Sequence, residues 1–133
     1  MIKRQTRTAL CLLALLTTLT ACALFEDEDG VVSDSGLYGA ISYSNQTGRW
    51  SMATERPDPE TARRDAVKAC AEQDCVQVLA FGPGHCGAIA PGEIGRPGLS
   101  IARKPDRAEQ AAVEFCIDQG GGACEEVVVA CNP

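Results

Sequence analysis

The chain is poor in aromatic residues, has a single histidine and contains no long apolar run. One Trp, two Tyr and three Phe supply no paired platforms for stacking sugar rings. Glycoside hydrolysis by Glu93, Glu125 or Glu126 therefore rests only on carboxylates that any acidic surface carries. His85 is the one imidazole. Positive charge is also scarce: 12 Lys+Arg against 18 Asp+Glu give a formal net charge of −6. Such a surface repels phosphate backbones and excludes nucleic acid as a partner. The main apolar run extends from Ala9 to Leu16 and reaches Leu19 through Thr17 and Thr18. That is shorter than the about 20 residues of a comfortable membrane span. No Cys-x-x-Cys redox pair occurs. The glycines within 82–87 and 120–122 lack both the Walker lysine and the Rossmann spacing, so they read as turns.

What is present begins with an address. A basic start (Lys3, Arg4, Arg7) precedes the apolar run, in the order of a secretory signal. Leu19-Thr20-Ala21-Cys22 then resembles the lipobox of bacterial lipoproteins. The resemblance implies a signal peptide over residues 1–21, cleavage before Cys22, and acyl chains on Cys22. Two or three chains anchor a protein stably, so the membrane is a partner through lipid. Ala23 in place of Asp after the anchor favours the outer membrane over the inner, with the domain facing the periplasm of a bacterial cell envelope. An ordinary cut at the small-x-small pattern Ala21-Cys22-Ala23 stands as the alternative and would release a soluble protein.

Loss of residues 1–21 removes three cations and no anion. It leaves 9 Lys+Arg against 18 Asp+Glu, a formal net charge of −9. Plain solubility accounts for an acidic surface, and such a surface also speeds encounter with a cationic protein. Residues 22–36 read as a tether: Glu26-Asp27-Glu28-Asp29 is a self-repelling run and Ser33-Asp34-Ser35-Gly36 is turn-like. A calcium site there lacks the loop pattern of a dedicated hand.

The remainder, 37–133, repeats itself as units 37–85 and 86–133. Tyr38-Gly39-Ala40-Ile41-Ser42 recurs as Cys86-Gly87-Ala88-Ile89-Ala90, and Ala66-Val67-Lys68-Ala69-Cys70 as Ala112-Val113-Glu114-Phe115-Cys116. Cys75-Val76-Gln77-Val78 is echoed by Cys124-Glu125-Glu126-Val127, with valines after it. Each unit reads strand, strand, helix, strand. Residues 37–44 and 49–54 alternate around a hairpin ending in Gly48. Asp58-Pro59 opens a helix with Ala62, Ala66, Val67, Ala69 and Cys70 as its apolar stripe, and 76–81 is a β-branched strand. In the second unit the hairpin loop, 91–98, is longer and 99–102 is a short strand. Asp106 with Glu109 suggests a capping-box start for a helix lined by Ala108, Ala111, Ala112, Phe115 and Cys116. Glycines 120–122 end that helix, and 127–131 is the last strand. The expected class is α+β: an antiparallel-rich sheet of about six strands, both helices on one face, the other face partly open, the whole disulfide-stabilised.

With Cys11 removed and Cys22 lipidated, Cys70, Cys75, Cys86, Cys116, Cys124 and Cys131 remain. An even set in an exported chain reads as three disulfides, for which 15 pairings exist. Equivalent positions doing equivalent work selects Cys70–Cys75, Cys116–Cys124 and, joining the units, Cys86–Cys131. The doubled Gly-Ala-Ile segments, the helix-to-strand cysteine step and the closing cysteines resemble the bacterial family called domain of unknown function 4189. The resemblance covers about 37–131. It implies an exported, cysteine-bearing domain and carries over no catalytic residue.

Reactive chemistry has few candidates. His85 could serve Ser51 or Ser100 as a base, but a lone histidine in a Gly/Pro loop suits a turn. Cys86 beside it would be an activated thiol only if reduced. Cys70, Cys75, His85 and Cys86 offer a zinc set, yet the second unit repeats the cysteines without a histidine. The expectation is a monomeric, non-enzymatic binding module without metal or cofactor: an inhibitor or immunity-type protein against a cationic cell-wall hydrolase or secreted toxin. Its candidate contact loops hold Gly82, Pro83, Gly84 and His85, and Pro91, Gly92, Glu93 and Arg96. A structural or accessory part of an envelope or secretion assembly is the alternative, motivated by the tether and the open sheet face.

Overall fold

The computed structural model describes residues 36–133. The signal segment 1–21, lipidation at Cys22 and the tether 22–36, apart from Gly36, lie outside the described residues. Each unit folds in the order strand, strand, helix, strand. The first contains β1 (Tyr38–Tyr43), β2 (Trp50–Arg56), α1 (Pro59–Cys70) and β3 (Val76–Phe81). The second contains β4 (Cys86–Ala90), β5 (Gly98–Ala102), α2 (Pro105–Asp118) and β6 (Val128–Cys131). Among the described residues no helix is long and apolar enough to cross a membrane.

The strands form two antiparallel three-stranded sheets, ordered β2-β1-β3 and β5-β4-β6. The two orders are the same once the units are superposed in sequence, so the duplication extends to topology. The six strands therefore do not join in one sheet, and the layout differs from the expected one. The physical reason lies in alternation along β1 and β4. Ala40 and Ser42, like Ala88 and Ala90, face a helix. Ile41 and Tyr43, like Ile89, face the other way, and all are buried. A single sheet with both helices on one side would leave this bulky face in water. Instead the two bulky faces meet: Ile41, Tyr43, Phe81 and Ile89 form one cluster, with Trp50, Met52, Val78, Leu79 and Leu99 packed on it. Burial of such side chains contributes about 1.5–3 kcal/mol each. The layers thus run helix, sheet, sheet, helix, with each helix on the outer face of its own sheet.

The outer faces are lined by alanine. Ala40 and Ala53 meet Ala62 and Ala66 of α1. Cys86, Ala88 and Ala90 meet Ala108, Ala112 and Cys116 of α2. The buried row on each helix is a single i, i+4, i+8 line, narrower than the expected stripe. Ala69, Ala111 and Phe115 are exposed. Side chains this small bring α2 so near β5 that a Cβ at Gly98 would stand 1.8 Å from the Ala112 carbonyl oxygen. Between the sheets, the Phe81 ring fills the space left by two repeat-equivalent glycines. A Cβ at Gly39 would lie 2.3 Å from Phe81 Cζ, and one at Gly87 2.4 Å from Phe81 Cε1.

Asp58 caps α1, its carboxylate accepting from the Thr61 amide (2.7 Å) and hydroxyl (2.8 Å). These bonds favour the charged form and hold the Asp58 carboxyl below its ordinary 3.8. The start of α2 differs from the expected capping box. Pro105 is the first helical residue and Lys104 occupies the cap without a side-chain bond, so Asp106 falls inside the first turn. Proline's fixed φ sets the boundary here as Pro59 does in α1. Gly120 (φ 70°) turns the chain after α2, whereas Ala71 (φ 59°) stands in the left-handed region after α1.

Three disulfides staple the domain: Cys70–Cys75, Cys116–Cys124 and Cys86–Cys131. The first two close the helix-to-strand loops. The third has the expected partners but not the expected role: it joins directly opposed residues of β4 and β6, so it spans the second unit from its first strand to its last and does not itself join the two units.

Candidate binding face

In both units the hairpin loop faces the disulfide-closed loop, and a cleft lies between them. In the first, Gln46 and Thr47 of the β1–β2 turn oppose Ala71, Glu72, Gln73 and Asp74, around a groove of ≈ 630 Å³. In the second, Pro91 and Gly92 of the β4–β5 loop oppose Ala123 of the disulfide-closed loop and Glu125 and Glu126 just beyond it, around ≈ 300 Å³. Both hairpins leave the same ends of β1 and β4, and they touch. The Gly95 amide donates to the Tyr43 hydroxyl (2.8 Å), and Ile94 packs beside Gly48. One end of the domain therefore carries two acidic clefts side by side.

The first cleft is held by a polar network. Ser44, fully buried, donates to Asp74 Oδ1 (2.6 Å), and the Gln46 amide donates to Asp74 Oδ2 (3.1 Å). The Thr47 amide (3.1 Å) and hydroxyl (3.0 Å) both donate to Ser44 Oγ. Arg49 pairs with Glu72 at 3.2 Å. The Ser44 bond, together with backbone donors, lowers the Asp74 carboxyl below 3.8. Asp74 is thus a charged acceptor that ties the β1–β2 turn to the disulfide-closed loop. The sequence reading does not anticipate this groove. Its signal is the repeat itself: if 91–98 opposes a disulfide loop, then 44–48 does too.

Two of the eight expected contact residues, Pro91 and Gly92, line the second cleft, and Glu93 and Arg96 follow on the same loop. The 91–98 loop is pinned over the glycine turn. The Glu93 amide donates to the Gly121 carbonyl (2.6 Å), Arg96 Nη1 to the Gly120 carbonyl (3.1 Å), and Gln119 Nε2 to the Pro97 carbonyl (3.0 Å). The Glu93 side chain lies across Gly122. Glu93, Glu125 and Glu126 are exposed, and among the described residues none has an ion pair within 4.0 Å. The pinned loop thus presents the unpaired Glu93 carboxylate, and the segment after Cys124 presents those of Glu125 and Glu126.

The other expected contact loop, Gly82 to His85, lies at the opposite end of β4. The structure does not bring the two loops together. This turn is part of the junction between the units. The His85 amide donates to the Gly82 carbonyl (3.3 Å), and His85 Nδ1 lies 2.8 Å from the Pro83 carbonyl. The Gly84 amide donates to the Pro133 carbonyl (3.0 Å), and the Asn132 amide to that of His85 (2.9 Å). Asn132, 3% exposed, accepts from the Glu55 amide (3.0 Å) and donates to the Phe81 and Gly82 carbonyls (3.3 Å each). Its partner Glu55 (φ 57°) sits where β2 bulges out of register with β1, which leaves that amide free for a side chain.

The reactive candidates all have structural partners. Ser51 donates to the Ala66 carbonyl and Ser100 to that of Ala108, each binding a strand to a helix. Cys86, Cys70 and Cys75 are oxidised. Among the described residues no three His, Cys, Asp or Glu side chains group to hold a metal ion.

Two duplicated three-stranded sheets packed face to face, helices outside, and three disulfides placed by the repeat define a small stapled α+β domain. Its sequence matches the model of the family Domain of unknown function (DUF4189) over residues 38–131, and the chain belongs to that family. No curated protein and no solved structure matches it.

Proposed function

We propose that the domain is a non-enzymatic binding module that grips a cationic protein with the end carrying both clefts. The observation that supports this most is the pair of preformed acidic clefts, each built from a hairpin loop held against a disulfide-closed loop. Loops ordered before binding lose little entropy when they bind, and unpaired Glu93, Glu125 and Glu126 accelerate encounter with opposite charge. An inhibitor or immunity protein of the bacterial envelope, lipid-anchored at Cys22 and directed at a basic hydrolase or toxin, fits this chemistry. The accessory-component alternative draws on the tether and on an open sheet face; the packed inner faces remove the second motivation and leave the first.

Photo-crosslinkers placed at Gln73 and Ala123 in the intact envelope test the reading. The expected product is a basic protein captured from both positions and lost at high salt. With that partner in hand, Glu125→Lys with Glu126→Lys lowers the association rate by about tenfold or more while leaving the fold intact. Capture of nothing basic, or capture indifferent to salt, overturns it.

A further inference from the structure

Of the six half-cystines in the described domain, five are buried: Cys70 and Cys116 at 0%, Cys86 at 2%, Cys124 at 3% and Cys75 at 7%. Cys131 alone is exposed. It is also the last residue of β6, an edge strand with a single neighbour, β4. A thiolate must reach a sulfur along an open approach to displace it. Two of the bridges are made of buried residues alone, and the third has one exposed residue, on the edge strand β6.

The two residues after Cys131 give this access a consequence. Asn132 and Pro133 hold the two units together through the Asn132 side chain on the Glu55 amide, Phe81 carbonyl and Gly82 carbonyl, and through Gly84 on the Pro133 carbonyl. These contacts cross from the end of the second unit to β2 and β3 of the first. The Cys86–Cys131 bond anchors their base.

We infer that Cys86–Cys131 is a redox latch: a dithiol reductant opens this bond selectively, and opening it releases the Asn132 clip between the units. The step is thiol–disulfide exchange. A thiolate of the dithiol attacks Cys131 Sγ, forming a mixed disulfide and expelling the Cys86 thiolate, which takes a proton from solvent. The second thiol of the reductant attacks the mixed disulfide and frees Cys131, which is protonated in turn. Two electrons and two protons pass to the protein, and the reductant leaves as its own disulfide. Cys70–Cys75 and Cys116–Cys124 stay oxidised and keep each helix joined to its following strand. The latch stands at the end of the domain opposite the clefts, so this inference does not depend on the binding reading.

The test uses the full chain under native conditions with graded dithiothreitol, the thiols being trapped by alkylation and located by mass spectrometry. Cys86 and Cys131 are expected to be alkylated together, at least about tenfold faster than any other pair. In the selectively reduced protein the Glu55, Gly84 and Asn132 amides are expected to exchange hydrogen about tenfold faster or more, while amides in α1 and α2 keep their protection. Reaction of a short bridge first, or of all three at one rate, overturns the inference. So does selective reduction that leaves those three amides protected. A full chain carrying Cys86→Ser and Cys131→Ser should show the same exchange pattern without reductant; if that variant fails to fold, the wild-type alkylation and exchange results decide alone.

Discussion

Single residues fix the contact between the two units. Phe81 lies between Gly39 and Gly87, which hold the same place in each repeat, and neither position has space for a methyl group. Gly87→Ala is expected to destabilise the domain by about 1–3 kcal/mol, the usual result of overpacking. Phe81→Leu in the same chain should recover part of that loss, because it removes Cε1 and Cζ, two of the three atoms the new Cβ would meet. Urea unfolding of the two single variants and the double variant measures the coupling; strictly additive losses would mean that the ring does not sit where the structure puts it. Two carboxylates give the domain an acid dependence of known sign. Asp58 and Asp74 both hold their protons less tightly folded than unfolded. Their stabilising effect is complete above 3.8 and declines as pH falls through the lower folded values. Both are partly exposed, so the effect is modest and screened by salt. Asp74→Asn should flatten part of the fall in urea midpoint below about pH 4.

At the scale of elements, the repeat exposes one imperfect join. After α2 the left-handed turn is made by Gly120, but after α1 it is made by Ala71. A methyl group in that region costs about 1–2 kcal/mol, and glycine adds about 0.4–1 kcal/mol of unfolded-state freedom. Ala71→Gly should therefore stabilise by about 0.5 kcal/mol and raise Tm by about 2–4 °C in a thermal melt. A lower Tm would show that the Ala71 side chain makes a contact worth more than its backbone strain. Element identity is legible throughout the sequence because alternation, cysteine spacing and proline boundaries agree. Residues 76–81 match β3 to the residue. The start of α2 is misleading in sequence, since Asp106 and Glu109 imitate a capping box while Pro105 governs the backbone. Phe115 misleads for a related reason: a helix packed through alanines buries one row, and a flanking apolar residue stays outside. The split into two sheets is hidden in principle. Alternation shows that β1 and β4 each have two apolar faces, but it does not say what covers the second. The clefts are half legible, because the long Gly/Pro loop announces itself and its shorter counterpart at 44–48 does not.

Across the described domain, the units cohere through the Ile41–Tyr43–Phe81–Ile89 cluster and through the Asn132, Pro133 and Gly95 hydrogen bonds, while the Cys86–Cys131 bridge, inside the second unit, holds the base of the Asn132 clip. The bridges differ in what they constrain. Cys86–Cys131 closes a separation of 45 residues, whereas the others close 5 and 8. On the chain-entropy argument the long bridge contributes about 4 kcal/mol and each short one about 2–2.5 kcal/mol. Replacing both cysteines of a pair by alanine avoids leaving a free thiol. Cys86→Ala with Cys131→Ala should therefore lower Tm by nearly twice as much as Cys70→Ala with Cys75→Ala, measured by circular dichroism. The comparison becomes sharper with Asn132→Ala added to each background. If the bridge and the clip act on one joint, Asn132→Ala should cost much less once Cys86 and Cys131 are gone than it does beside the intact bridge, and its cost should be unchanged by loss of the Cys70–Cys75 pair. Equal losses in Tm for the two cysteine pairs, with Asn132→Ala additive in both, would place the cohesion of the units in the apolar cluster alone.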